Sequence, residues 1–174
     1  MYCLQPVVVK ARTEGPGDWE LVDGQQRLTT LYLVFRYMKI AGLKNPDPPY
    51  SLEYQTRRAS ADYLRDPRDT EAAKSNIDFF HMQKAYSCIV KWFDQPSLTP
   101  TQKQFRADEF YGMLCRRVKI IWYEAPGEVE STAMFARLNV GRIPLTDAEL
   151  LKALLLGANT ADALRREEVA AQWD

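Results

Sequence analysis

Within residues 20–30, "ELVDGQQRLTT", the period of the sequence changes. Ahead of the change, Trp19 and Leu21 alternate with Glu20, the two-residue repeat of a half-buried strand. After it, Leu28, Leu31, Phe35 and Met38 recur at helical spacing, and Gly42 supplies a stop. A strand that hands over to a helix this abruptly must turn within one or two residues, and Gly24 is the residue that tolerates such a turn. The preceding run "LQPVVVK" contains Val7, Val8 and Val9 and suits a buried strand. "TEGPGD" between the two runs has the glycines and proline of a turn, so the chain begins as a hairpin that leads into a helix.

The rest of the chain is mostly helical in pattern. "LKNPDPPYS" breaks it with three prolines, and "SLEYQ" reads as a short strand after the break. Residues 53–70 are polar and carry little periodicity. The spacing predicts one long helix over residues 71–93, with Ile77, His81, Ala85, Cys88 and Trp92 on one face. "DQPSLTPT" ends it and starts another. "RVKIIWYEA" is the clearest strand of the second half, and helices are expected over "EVESTAMFARLN" and "PLTDAELLKALLLG". The last of these opens with Thr146 and Glu149 in capping-box spacing. A few strands at the ends of a helical middle make an α+β layout rather than a regular strand–helix alternation.

Composition narrows the function classes. Lys plus Arg and Asp plus Glu are 23 each, so no global positive field invites non-specific nucleic-acid binding. The pairs Arg57-Arg58, Arg116-Arg117 and Arg165-Arg166 are read as solvated charges that leave room for local phosphate contacts. Cys3, Cys88 and Cys115 form neither a metal-binding spacing nor a disulfide framework. Cys88 and Cys115 lie among apolar residues and read as buried thiols, which makes a reducing cytoplasm the expected compartment. No signal peptide is seen, and the apolar run near Leu150–Leu156 is too short for a bilayer.

Chemistry offers two explanations of Asp23–Arg27. In the first, Asp23 and Gln26 form a capping box, a local stabiliser worth about 1 kcal/mol. In the second, the start of the helix is an anion site. Its first N–H groups and the positive end of its dipole favour phosphate, and Gly24 lets phosphate approach the backbone. Arg27 offers a forked, permanently charged donor, while Gln25 and Gln26 suit a phosphate, a base edge or an attacking water. Asp23 fits beside a polyphosphate if a magnesium ion intervenes or if it orients a water. The spaced glycines and Gly-Lys-Ser/Thr ending of a P-loop are absent.

"LVDGQQRLTTLYLV" resembles the signature of the N-terminal domain of GmrSD-type, modification-dependent restriction proteins. "FARLNVGRIPLTDAELLKALLL", residues 135–156, resembles a second signature of that family, Phe-x-x-x-Asn-x-x-Gly-x-x-Leu followed by a helix with a lysine. "TRRASADYLRD", "IDFFHMQKAYSCIVKWF" and the late "AAQWD" are similar to segments between and after them, so the likeness spans nearly the whole chain. The resemblance implies a small ParB/sulfiredoxin-like sheet with a helical extension, in one domain over residues 1–174. Residues 2–42 and 116–157 would form its core and residues 53–115 its helical middle. It implies binding and hydrolysis of a nucleoside triphosphate at Asp23, Gly24, Gln25, Gln26 and Arg27, as the control of a DNA endonuclease in phage defence, and Mg2+ is expected at Asp23 with such a nucleotide. Asn139 and Gly141 would lie near the same cleft, with Phe135 and Leu145 packing. Relatives usually carry a Gln-Arg-x-Tyr-x-Trp segment ahead of the first strand, so the domain is expected to be incomplete at its N-terminus. The HNH-like nuclease of the family has no counterpart here, and DNA would be reached through a nuclease domain or a partner chain. A homodimer is compatible with this reading, and no membrane contact is expected. Two rival classes are a non-enzymatic DNA-sensing module and a ParB-like nuclease.

Other residues are expected to be structural. His81, the only histidine, falls on the apolar helix face and reads as a core residue. Trp19, Trp92 and Trp122 are expected in the core, although Trp122, near Arg116, Arg117 and Lys119, also has the makings of a stacking platform. Asp108, Glu109, Glu124, Glu128 and Glu130 read as surface charges, and Lys152 as a lysine that either reaches a phosphate or snorkels.

Overall fold

The computed structural model describes residues 1–12, 17–43, 47–54, 57–131 and 133–134. Among them are three strands, β1 (Tyr2–Ala11), β2 (Trp19–Asp23) and β3 (Val118–Glu124), and five helices. The helices are α1 (Gln25–Ile40), α2 (Arg58–Arg65), α3 (Thr70–Ser75), α4 (Ile77–Phe93) and α5 (Pro100–Arg117). This is the α+β class expected from the pattern. The chain divides into two compact units, one of Met1–Tyr2 and Gln26–Val118, the other of Cys3–Gln25 with the chain from Lys119 onward.

The second unit holds the sheet, in the order β2-β1-β3, with β1 and β2 antiparallel. Val7, Val8 and Val9 are all buried, as their unbroken apolar run requires of a central strand. Val8 packs with Val22 and Ala125, and Met134 borders that cluster. Ser131, Ala133 and Met134 are helical, and the remainder of the segment expected as a helix there lies outside the described residues.

The helical unit has its own core. Leu33, Val34, Tyr37 and Met38 form one stripe of α1 and bury against Tyr63, Leu64, Tyr86 and Phe93. The aromatic rings interlock: Tyr37 stacks on Phe93 at 5.0 Å, Phe93 meets Phe110 at 5.5 Å, and Tyr63 stacks on Phe79 at 4.2 Å. Such pairs add roughly 0.5–1.5 kcal/mol each beyond the area they bury. α1 ends in a Schellman turn, where Leu43 N–H donates to Met38 O and Gly42 N–H to Lys39 O, with Gly42 at φ 70°. α5 begins at a capping box of Thr99 and Gln102, with Pro100 at its first position.

Several expectations fail here, for identifiable reasons. The helix expected over residues 71–93 is two helices. Asn76 interrupts it, and its side-chain oxygen accepts from the N–H groups of Asp78 and Phe79 to start α4 afresh. "SLEYQ" forms no strand over its described residues, 51–54. The apolar residues of α4 spread over a wide arc, and the side it buries is Met82, Tyr86 and Phe93. The face chosen from spacing is the outer one, so His81, Cys88 and Trp92 are exposed. His81 is therefore not a core histidine; it sits beside the ring of Phe80 at 5.4 Å. Cys115 is exposed as well, so neither thiol is buried. Trp19 and Trp122 also leave the core: their rings meet edge to face at 5.4 Å on the open sheet, and the Trp122 indole donates to Glu124.

Candidate functional site

The handover from β2 to α1 is built from a bulge and a glycine. Val9 lies across from Leu21 but Val8 lies across from Asp23, so β2 carries one residue more than β1 at this point. A bulge of this kind bends the strand and re-aims the residues beyond it. Asp23, half-buried, is the last residue of β2. Gly24 is buried with φ 106°, a left-handed conformation that L side chains rarely adopt. α1 then starts at Gln25, directly after Gly24.

Each side chain of the stretch then has a definite place. Gln25 turns its amide back on the strand, and its Nε2 donates to the carbonyls of Leu21 at 3.1 Å and Val22 at 3.0 Å. Those bonds satisfy acceptors where the bulge disrupts the ladder. Gln26 is exposed, and its carbonyl accepts from the Thr30 hydroxyl at 2.8 Å. Arg27 is half-buried at the third position of α1, with its Nε shielded from solvent. The first turn of α1 contains no acidic residue, so nothing within that turn neutralises the positive end of its dipole. Asn139 and Gly141, expected near the same cleft, lie outside the described residues, as do Phe135, Leu145 and Lys152.

Sequence reasoning missed the two phenols that hold the first turns of α1. Tyr50 O–H donates to Leu28 O at 2.6 Å, and the hydroxyls of Tyr54 and Thr29 are 3.2 Å apart. Burial raises both tyrosine pKa values above the ordinary phenol range, so both stay neutral at any physiological pH. The only hint in the sequence is that the proline-rich break ends in "PPYSLEY", with two aromatics four residues apart.

The other candidates fall out as surface chemistry. Asp108, Glu109, Glu124, Glu128 and Glu130 are exposed, and no group of three or more metal-ligating side chains exists among the described residues. Arg57 pairs with Asp78, which also accepts from the buried Ser60 hydroxyl at 3.3 Å, and Arg116 donates to Gly112 O in its own helix. A surface hollow lined by Tyr63, Asp66, Arg68 and Phe79 contains no residue of the Asp23–Arg27 stretch. Its polar groups satisfy each other: Arg68 holds Asp66 through two bonds of 2.6 Å and keeps that carboxyl below the usual range.

No helix of the described residues is long and apolar enough to cross a membrane. Searches of curated proteins and of solved structures give no match. A family model does match. The model of the GmrSD restriction endonuclease N-terminal domain covers residues 1–156 of the 174, and the chain belongs to that family, a domain of restriction systems.

Proposed function

We propose that the domain binds and hydrolyses a nucleoside triphosphate at Asp23–Arg27 and so regulates a DNA-cleaving partner of a modification-dependent restriction system. The observation that carries this reading is the start of α1: a left-handed glycine ahead of a first turn free of acidic side chains, with Arg27 two residues into the helix. Peptide N–H groups at such a helix start bind phosphate, and the Arg27 fork adds a charged donor. The family membership supplies the DNA-restriction context.

The residues present fit Mg2+ in the way nucleotide sites hold it. Asp23 provides one half-buried carboxylate, and one or two carboxylates suffice where substrate phosphates complete the shell. Bound there, the ion would offset phosphate charge. In the mechanism, the backbone after Gly24 and Arg27 hold the phosphates. Asp23 holds the metal or orients a water, and Gln26, exposed at the helix start, aligns the attacking water. Gln25 positions the strand end through its two carbonyl bonds and presents its amide oxygen to the water. The protein would act in the cytoplasm, with DNA reached through a nuclease domain or partner chain.

Thermal shift with ATP, GTP, CTP or UTP and magnesium tests this. At a nucleotide concentration of about 100 times Kd the folded state gains about 2.7 kcal/mol. For a chain of this size that raises Tm by roughly 5–10 °C. The shift should vanish in Arg27→Ala and Asp23→Ala, and phosphate release should vanish with it. A shift produced by DNA alone, falling steeply with salt, would instead establish a DNA-sensing module. Metal-dependent nicking of DNA by the isolated chain would establish a nuclease.

A further inference from the structure

We propose that the outer edge of β3 joins a second copy of this chain, strand to strand, about a two-fold axis through Ile121. β3 is an edge strand of the sheet among the described residues. Its middle is apolar on both sides and exposed, with Ile121 at 52%, Trp122 at 48% and Tyr123 at 48%. Edge strands that stay single are usually guarded by a central lysine, a proline or a bulge. Residues 120–123 of β3 contain no charge and no proline.

Symmetry fixes the register. A two-fold axis normal to a sheet makes the joined strands antiparallel and sets one residue opposite its own copy. The register that pairs all seven residues of Val118–Glu124 is centred on Ile121. It sets Ile120 opposite Trp122 of the second copy and Lys119 opposite Tyr123, with Val118 opposite Glu124. Ile120 with Trp122 is an aliphatic–aromatic pair and Lys119 with Tyr123 a cation–aromatic one, combinations that stabilise cross-strand contacts, while Val118 with Glu124 is neutral in this respect. No pair sets like charges opposite each other. The hydrogen-bonding groups also agree. The N–H of Ala125 points inward, to Val9 O at 2.7 Å, so by strand alternation the even-numbered residues turn their peptide groups to the open edge. In this register Ile120 and Trp122 form hydrogen-bonded pairs, and Ile121 meets itself in a non-bonded pair with Cα atoms about 4.5 Å apart. A foreign strand could use the same edge, but nothing would then set the centre at Ile121.

Light scattering and sedimentation at rising concentration should show a monomer–dimer equilibrium. Ile121→Lys sets two charges against each other on the axis and should weaken the dimer Kd by at least about tenfold. Its exposure lets the monomer keep its circular dichroism. A second measurement fixes the register. With the exposed Cys3, Cys88 and Cys115 changed to serine, Ile121→Cys should form an intermolecular disulfide much faster than Lys119→Cys. A self-paired Cα separation near 4.5 Å suits that bond, whereas Lys119 faces a different residue. A protein monomeric at high micromolar concentration would overturn the proposal. So would a dimer indifferent to Ile121→Lys, or crosslinking no faster at 121 than at 119.

Discussion

Gly24→Ala probes the link between local geometry and the proposed site. Gly24 has φ 106°, and placing an L side chain in the left-handed region costs roughly 1–2 kcal/mol. Gly24 is also buried, so the new methyl has no solvent to occupy. Gly42→Ala is the internal control. Its φ is 70°, and a methyl there meets nothing within 4 Å, so that change reports the backbone cost alone. Urea unfolding separates the two. With m of about 1–3 kcal/mol/M, a loss of about 1.5 kcal/mol moves the midpoint by roughly 0.5–1.5 M. Gly24→Ala should lose at least as much as Gly42→Ala, and should also lose nucleotide-induced stabilisation, which Gly42→Ala should retain. A Gly24→Ala protein as stable as the parent would mean that the turn relaxes without cost. The claim that the glycine sets the helix start would then fail.

The helix caps and the buried phenols give two further expectations. Asn76→Ala removes the acceptor for Asp78 and Phe79 N–H and should cost about 1 kcal/mol in urea unfolding, while Asn76→Asp should cost far less. Tyr37, Tyr50, Tyr54, Tyr63 and Tyr86 all have pKa values raised above 10.0, first by burial. The folded-state values lie above the unfolded ones, so their contribution is whole below pH 10 and is lost as pH rises through the folded values. Unfolding free energy should fall as pH climbs from 10, and phenolate absorbance should rise in step with unfolding rather than ahead of it.

How much of this was legible in the sequence depends on whether the signal is local. β1, β2 and β3 announce themselves by valine runs and alternation, and the Gly24 turn by the change of period. α4 does not announce its face. Apolar residues spread over a wide arc of it, from Ile77 and Cys88 to Met82 and Tyr86, so spacing alone cannot choose between them. The choice is made by partners far along the chain, Tyr37 and Phe110 among them. The same is true of Cys88 and of His81, whose burial is inferred from the wrong side of that helix. At the candidate site, the turn from strand to helix at Gly24 was legible because the handover is local. Tyr50 and Tyr54 were not, because their bonds to Leu28 and Thr29 join residues 22 and 25 positions apart.

The bulge explains why an acid stands where it does. With unbroken pairing, Asp23 would lie across from Val7, on the side of the ladder that Leu21 and Val9 share. The extra residue moves it across from Val8 instead, the valine that packs with Val22 and Ala125. Gln25 then covers the Leu21 and Val22 carbonyls. A plain helix cap needs none of this; Asn76 caps α4 and Asp69 caps α3 with a single side chain each. A shifted strand end, a left-handed glycine and a glutamine spent on the strand are a costlier way to start a helix. They fit the proposal that the carboxylate and the first turn also serve a ligand.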